Sequence, residues 1–167
     1  MKKIGILSDT HHCFDEPLRR FFADVDELWH AGDIGSLAVA DRIAAFKPLR
    51  AVYGNVDGAD VRAAYPQTAR FTVEDIEVLM THIGGYPGRY DPNVWTALRS
   101  HPPKLFIAGH SHILKVINDP SLHLLHINPG AAGIYGIHKV RTAIRLILEH
   151  GNIRDLEVGE WKKNDER

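Results

Sequence analysis

Two histidines one residue apart, His110 and His112, lie in the segment Gly109-His-Ser-His112, between apolar runs at residues 104–108 and 113–117. In an extended chain both imidazoles would point to the same face, whereas on a turn they could diverge and serve two neighbouring ions. A His-x-His pair alone is weak evidence for a metal. Its weight comes from four other apolar runs that end in the same way. Asp9 and His11 follow residues 4–7, Asp33 follows the run ending at Ala31, Asn55 follows residues 49–53, and His82 follows residues 76–81.

Each of these residues has a plainer use. Gly-Asp and Gly-Asn are common turn dipeptides, and Asp9 or Asp33 could cap a following helix. Taken singly, Asp33 and Asn55 read as turn residues. Together, the seven offer two carboxylates, one carboxamide and four imidazoles, rich in lone pairs and poor in hydrogen-bond donors. Metal ions use such a set. Seven ligands are too many for one ion with open positions and suit two ions sharing a carboxylate. Nitrogen and oxygen donors without thiolate point to manganese, iron, zinc or cobalt rather than to calcium or magnesium alone. Manganese is the first choice, and nickel is also admitted. Two divalent ions with Asp9, Asp33 and a bridging hydroxide sum to about +1, which favours an anionic substrate. Metals about 3.5–4 Å apart clamp the attacking and leaving oxygens of an in-line displacement and lower the pKa of bound water to about 7. The chemistry expected is phosphoester hydrolysis.

For these residues to meet, the runs before them must be strands ending on one edge. Residues 4–7 read as a strand buried on both faces. A helix should follow, with Asp15 capping, Pro17 in the first turn, and Leu18, Phe21, Phe22 and Val25 at helical spacing. A strand within residues 25–31 stops at Gly32-Asp33. Ser36 caps a second helix that Pro48 ends, and residues 49–53 form a third strand. This alternation predicts parallel pairing with right-handed crossovers, and parallel strands gather their C-terminal ends on one edge, where ligands bind. Beyond it, residues 69–73 and 76–81 predict a hairpin around Glu74-Asp75, and residues 84–88 a long irregular loop. Asp91-Pro92 open a helix through Leu98 that Pro102-Pro103 end. A strand at 122–127 leads to the turn Asn128-Pro129-Gly130, and residues 142–148 and 153–158 form a last hairpin. The charged tail, residues 162–167, is expected to fray. The expectation is an α/β chain with mixed sheets, a single domain over residues 1–167.

That length can bury roughly 70% of the unfolded surface. The net charge of -1 is not the basic footprint of a protein whose main partner is nucleic acid. A single cysteine, Cys13, excludes an internal disulfide and a cysteine-based zinc cage and suggests a reducing compartment. The first apolar stretch is too short for a secretory signal, and no run approaches the about 18 apolar residues of a membrane span. A cytoplasmic protein with no membrane partner is expected, and homo-oligomerisation is left open.

Asp9-Thr-His11, Gly32-Asp33, Gly54-Asn55-Val56-Asp57, His82 and Gly109-His-Ser-His112 resemble, in order, the motifs of the calcineurin-like metallophosphoesterases. The short length and the Asn128-Pro129-Gly130 turn are most similar to the small YfcE-type phosphodiesterases. Each motif alone is weak, but all five in order after strands are highly specific. The resemblance implies a four-layer αββα sandwich with two mixed β-sheets and a dimetal site at strand C-terminal ends. It implies that Asp9, His11 and His112 hold one ion and Asn55, His82 and His110 the other, with Asp33 bridging and a bridging hydroxide attacking phosphorus. Asp33, Asn55 and His82 are the expected catalytic residues.

Two departures bear on activity. Much of the superfamily has histidine after Gly-Asn, to protonate the leaving group or steady the phosphate; here Val56 does neither. Many relatives read His-Gly-His where this chain reads His82-Ile83-Gly84. A lost general acid costs about 10²–10⁴-fold where the leaving group is basic. The expected activity is therefore a phosphodiesterase preferring leaving groups that need little protonation, on small phosphodiester or nucleotide-like substrates. His12 reads as an exposed loop residue rather than a substitute acid. Asp57 reads as support for the Asn55 loop or a cap for residues 58–65. Arg89, Tyr86 and Tyr90 could form a pocket wall. The alternatives are a catalytically silent metal-binding scaffold on the same fold, a phosphomonoesterase, a nucleotide hydrolase or a nuclease. Retention of all seven ligands weighs against the scaffold, and near-neutral charge against the nuclease.

Overall fold

A computed structural model describes residues 1–163. Strand β1 (Lys2–Leu7) pairs in parallel with β2 (Glu27–His30), and β2 with β3 (Leu49–Ala51); α1 (Glu16–Phe21) and α2 (Leu37–Phe46) make the crossovers. After α3 (Ala59–Ala64), β4 (Thr68–Val73) and β5 (Ile76–Thr81) form the predicted hairpin. Its turn residues Glu74 and Asp75 have φ of 51° and 64°, the left-handed pair that matches strand twist in a two-residue hairpin. Next come β6 (Gly85–Tyr86), β7 (Arg89–Tyr90), α4 (Pro92–Ser100), β8 (Leu105–Ile107), β9 (Leu114–Asp119), β10 (Leu124–Pro129), β11 (Val140–Glu149) and β12 (Asn152–Lys162).

The strands form two five-stranded sheets, ordered β12-β11-β1-β2-β3 and β4-β5-β8-β10-β9. Each is mixed: in the first, β1, β2 and β3 run parallel and the β11–β12 hairpin adds antiparallel strands on one side; in the second, β5, β8 and β10 run parallel between antiparallel β4 and β9. The sheets face each other across Ile4, Ile6, Trp29, Val78, Met80, Ile107, Ile127 and Ile144. The outer face of the first sheet is covered by Leu18, Val39, Ala40, Ile43 and Val61 of α1, α2 and α3. Val94 and Leu98 of α4 cover the second through Leu79, Phe106 and Leu124. The layers run α, β, β, α, as expected. No helix among the described residues is long and apolar enough to cross a membrane.

Some local expectations are corrected. Helix α1 stops at Phe21, and Val25 packs from beyond it. Asp15 makes no side-chain cap, because both its oxygens accept from the Arg141 guanidinium at 2.9 Å. A bidentate charged pair outcompetes a single backbone N–H. Residues 84–90 are not irregular: β6 and β7 form a short hairpin in which Tyr86 pairs with Arg89, turning through Gly88 at φ 91°. Asn128 and Pro129 belong to β10, in register with Lys115 and Leu114, and the chain turns only at Gly130. Lys162 does not fray; it ends β12 opposite Val140. Residues 164–167 of the expected frayed tail lie outside the described residues.

Candidate metal centre

Each predicted ligand lies just past the end of a strand: Asp9 and His11 after β1, Asp33 after β2, Asn55 after β3, His82 after β5, and His110 and His112 after β8. The first three strands belong to one sheet and the last two to the other, so the site spans both layers at one edge. Hydrogen bonds between loops lock the assembly. Asp9 N donates to Gly32 O, His11 N to Asp33 O and Gly109 N to His82 O. Within the second sheet and across to the first, His110 N donates to Asp9 Oδ2 at 3.0 Å.

Two triads result. Ligand atoms of Asp9, His11 and His112 all lie within 4.8 Å of one another, as do those of Asp33, His82 and His110. The triads interlock, with His11 Nε2 at 3.7 Å from Asp33 Oδ2 and His82 Nε2 at 3.8 Å from Asp9 Oδ1. Asn55 completes the second group, its Oδ1 at 3.1 Å from His110 Nδ1. All seven residues singled out in the sequence therefore gather at one place, and His110 and His112 do diverge to different triads. Their φ angles of 72° and 61° are left-handed, as are those of Asp9 (53°), His11 (42°) and Asp33 (58°). Such backbone costs roughly 1–3 kcal/mol per residue and persists where surrounding structure imposes it, often at functional sites.

Asp9 Oδ1, His11 Nε2 and His82 Nε2 are buried and make no hydrogen bond. His82 Nε2 and Asp33 Oδ2 are 3.2 Å apart, as are His112 Nε2 and Asp9 Oδ1, but neither contact is aligned as a hydrogen bond. A buried polar atom left unpaired costs about 1–3 kcal/mol. Several such atoms converging on shared points are what a cation satisfies, so these residues fit divalent ions.

The electrostatics agree. Burial pushes the Asp9 and Asp33 carboxyls up, but imidazole contacts outweigh it, with Ser8 helping Asp9 and the Val56 amide helping Asp33, so both rest below the ordinary carboxylate range. Burial pushes His11 down. For His82 burial acts downward too, but Asp33 and Asp9 outweigh it and hold the ring's pKa above the usual value.

Several supporting residues carried no signal in sequence. Ser8 Oγ donates to Asp9 Oδ2 at 2.7 Å. Buried His30 accepts from Gly32 N and bonds the Thr10 hydroxyl, fixing the Asp33 turn against the Asp9 loop; burial pushes its pKa down to about 4. Asp57 has the structural role expected of it: its carboxylate accepts from Ile34 N, Gly35 N and Gly54 N, joining the Asp33 and Asn55 loops. His12 is exposed, with its backbone N–H on Ile34 O. Gly54 has no alternative, because a Cβ there would collide with Asp33.

His138 is the most informative addition. Its Nε2 donates to Gly133 O at 2.8 Å, which leaves Nδ1 as an acceptor 3.1 Å from His112 Nδ1. The shared proton must then sit on His112 Nδ1, freeing His112 Nε2 for a cation. His138→Ala should weaken divalent-metal affinity by roughly 10–100-fold, measured by competition with a chelating dye. His138→Asn, which keeps an acceptor, should recover part of it. Unchanged affinity in His138→Ala would remove this role.

Both departures have a structural setting. Val56 is 63% exposed at the mouth of the site, while its N–H donates to Asp33 Oδ1 at 3.0 Å. A Cβ on Gly84 would lie 2.6 Å from Phe106 Cζ, so packing of the second sheet excludes an imidazole there.

The family model for the calcineurin-like phosphoesterase superfamily domain matches residues 1–151. A probable metallophosphoesterase of Methanothermobacter thermautotrophicus is 27% identical over 135 residues, spanning 77% of this chain and 76% of that protein. A second, from Methanocaldococcus jannaschii, is 28% identical over 134 residues, spanning 77% of this chain and 67% of that protein. Among solved structures, an archaeal phosphodiesterase superposes with a TM-score of 0.68 at 25% identity, over 93% of this chain and 99% of that one. Vps29 of Chaetomium thermophilum superposes with a TM-score of 0.72 at 14% identity, over 98% and 100%, a likeness of fold. With two ligand triads at the strand ends that the family's motifs occupy, the chain belongs to the calcineurin-like phosphoesterase superfamily.

Proposed function

We propose that the protein is a phosphodiesterase working with two divalent ions, manganese the first choice. Asp9, His11 and His112 would hold one ion, Asn55, His82 and His110 the other, and Asp33 would reach both. The observation that carries this reading is the pair of interlocked triads whose partnerless buried atoms face one another. When bound, the ions supply a water ionised near neutral pH and a clamp on the phosphoryl oxygens. The chain's own residues position and restrain. His82 is oriented by its Nδ1 bond to Ala31 O at 2.7 Å. Ligation at His82 requires the neutral ring, so metal uptake competes with a proton there. Val56, with no proton to give, leaves departure to the leaving group itself.

The shape of the cleft favours a diester over a monoester. Ile83 and Asp91 line both of two adjoining compartments. One, of about 510 Å³, contains Asn55, His82, Tyr53, Gln67 and Thr81. The other, of about 380 Å³, contains His110, Ser111, Tyr86, Arg89 and Lys115. A diester sends two arms away from phosphorus and can fill both; a monoester has one arm. The substrate class that suits this cleft is a small phosphodiester or nucleotide-like molecule.

The test is to strip the protein with chelator, restore Mn²⁺, and follow bis(p-nitrophenyl) phosphate beside p-nitrophenyl phosphate. Metal-dependent turnover favouring the diester is the expected result. Faster monoester turnover would make it a phosphomonoesterase. No turnover of either, in a protein that binds two ions, would make it a metal-bearing binding protein.

A further inference from the structure

The two compartments differ in charge. In the larger one the cation is committed: Arg62 donates to Asp57 O and Asn55 O and lies over the Tyr53 ring. In the smaller one Arg89 and Lys115 line the wall, and among the described residues neither pairs with a carboxylate. Lys115 Nζ lies 4.6 Å over the Tyr86 ring, holding the β6–β7 hairpin beside β9. The two acids nearby are engaged elsewhere. Asp91 caps α4 through Asn93 N at 2.9 Å. Asp119 accepts from the Tyr90 hydroxyl at 2.6 Å and from Ser121 N at 2.8 Å. Asn128, also on the wall, spends its amide on Gly109 O and Ser111 Oγ and its oxygen on Gly130 N. Burial, helped by the Lys115 charge, pushes the nearby His126 down to about 4, so it adds no charge at neutral pH. Of the residues lining the compartment, Arg89 and Lys115 outnumber Asp91, and Asp119 lies outside it, so a net positive charge remains beside His110.

We propose that this compartment binds a second anionic group, a phosphate carried on one arm of the diester, through Lys115 and Arg89. The inference rests on the phosphodiesterase reading and narrows its substrate to a diester with a further phosphate on one arm. The phosphoryl centre itself carries only one negative charge in a diester, which the metal site meets. Two cations that no carboxylate neutralises, on the same wall as His110, provide for more charge than that. Lysine and arginine are the side chains that meet phosphate with charge-assisted hydrogen bonds.

The probes are the p-nitrophenyl ester of thymidine 5′-phosphate and the same compound bearing a 3′-phosphate, assayed with Mn²⁺. Charge-assisted contacts of this kind correspond to a preference of roughly 10–100-fold in KM for the 3′-phosphorylated ester. Lys115→Met and Arg89→Met should each pull the ratio of the two kcat/KM values towards one. A purely structural effect would lower both substrates alike and keep the ratio. Arg20→Met, a remote exposed cation on α1, should leave the ratio as in the wild type; if it fell equally, overall charge and not this compartment would be responsible, and the inference would fail. A wild-type ratio near one overturns the subsite and leaves the phosphodiesterase reading standing. If neither ester turns over, the phosphodiesterase reading fails. Calorimetric titration with thymidine 3′,5′-bisphosphate then decides the subsite alone: weaker binding to Lys115→Met supports it, and equal binding overturns it.

Discussion

Asp33→Ala is expected to lower phosphodiester turnover on the order of 10³-fold or more, since a shared metal ligand contributes several kcal/mol of transition-state stabilisation. The carboxylate, like that of Asp9, reaches a histidine of the other triad. Its Oδ2 lies 3.2 Å from His82 Nε2 and 3.7 Å from His11 Nε2, and its Oδ1 accepts from Val56 N at 3.0 Å. Removing it takes away both the negative charge and a link between the triads. Alanine at φ 58° also adds backbone strain, so Asp33→Asn, which tolerates that conformation better, is the companion variant. Bound metal, counted by plasma mass spectrometry, should fall together with turnover in both variants while near-UV circular dichroism stays native. A variant that keeps two ions and turns over within tenfold of wild type would refute the bridging role.

Asp15→Asn should cost about 3 kcal/mol of stability, since it strands a buried charge. Arg141 is fully buried; its guanidinium reaches both Asp15 oxygens at 2.9 Å, and its Nε donates to Ala132 O at 2.7 Å. For a chain of this size the loss corresponds to roughly 6–12 °C in Tm. Burial raises the Asp15 carboxyl, but the Arg141 hydrogen bonds and charge outweigh it, so the folded pKa lies below the ordinary value. The unfolded chain then takes up the proton first. The pair's contribution is complete above about pH 4 and is lost as pH falls through the folded-state value. The Tm gap between wild type and Asp15→Asn should therefore close in acid. Asp15→Leu combined with Arg141→Met should restore most of the stability at neutral pH, because the stranded charge is gone. A gap that persisted unchanged below pH 4, or a neutral single variant, would contradict this account. The pair also joins β11 to the loop bearing Asp9 and His11 and to the loop leading to His138, so Asp15→Asn should loosen metal binding as well.

Most of the elements, and which residues would gather at the strand ends, were legible in the sequence by itself. Apolar runs in residues 4–7, 78–80 and 105–108 are continuous because those strands are buried on both faces, and continuity is visible without coordinates. Asp9, His11, His82, His110 and His112 follow such runs, Asp33 and Asn55 follow short strands interrupted by polar residues, and parallel strands bring their C-terminal ends together by geometry alone. Capping of α2 by Ser36 and of α4 by Asp91 was equally legible, because in both the side chain's partner is two or three residues away.

Only the tertiary structure decided how these pieces are used. The division of His110 and His112 between triads depends on left-handed backbone at both, which loop packing imposes and composition does not announce. His138 holds His112 from a segment 26 residues away, and Asp15 meets Arg141 across 126 residues. In both, long-range partners override local preference: a cap forgone at Asp15, a tautomer chosen at His112. The 84–90 segment reads as an irregular loop because two-residue strands have no periodicity to detect. Folded against β9, it becomes the wall that sets the charge of one half of the cleft.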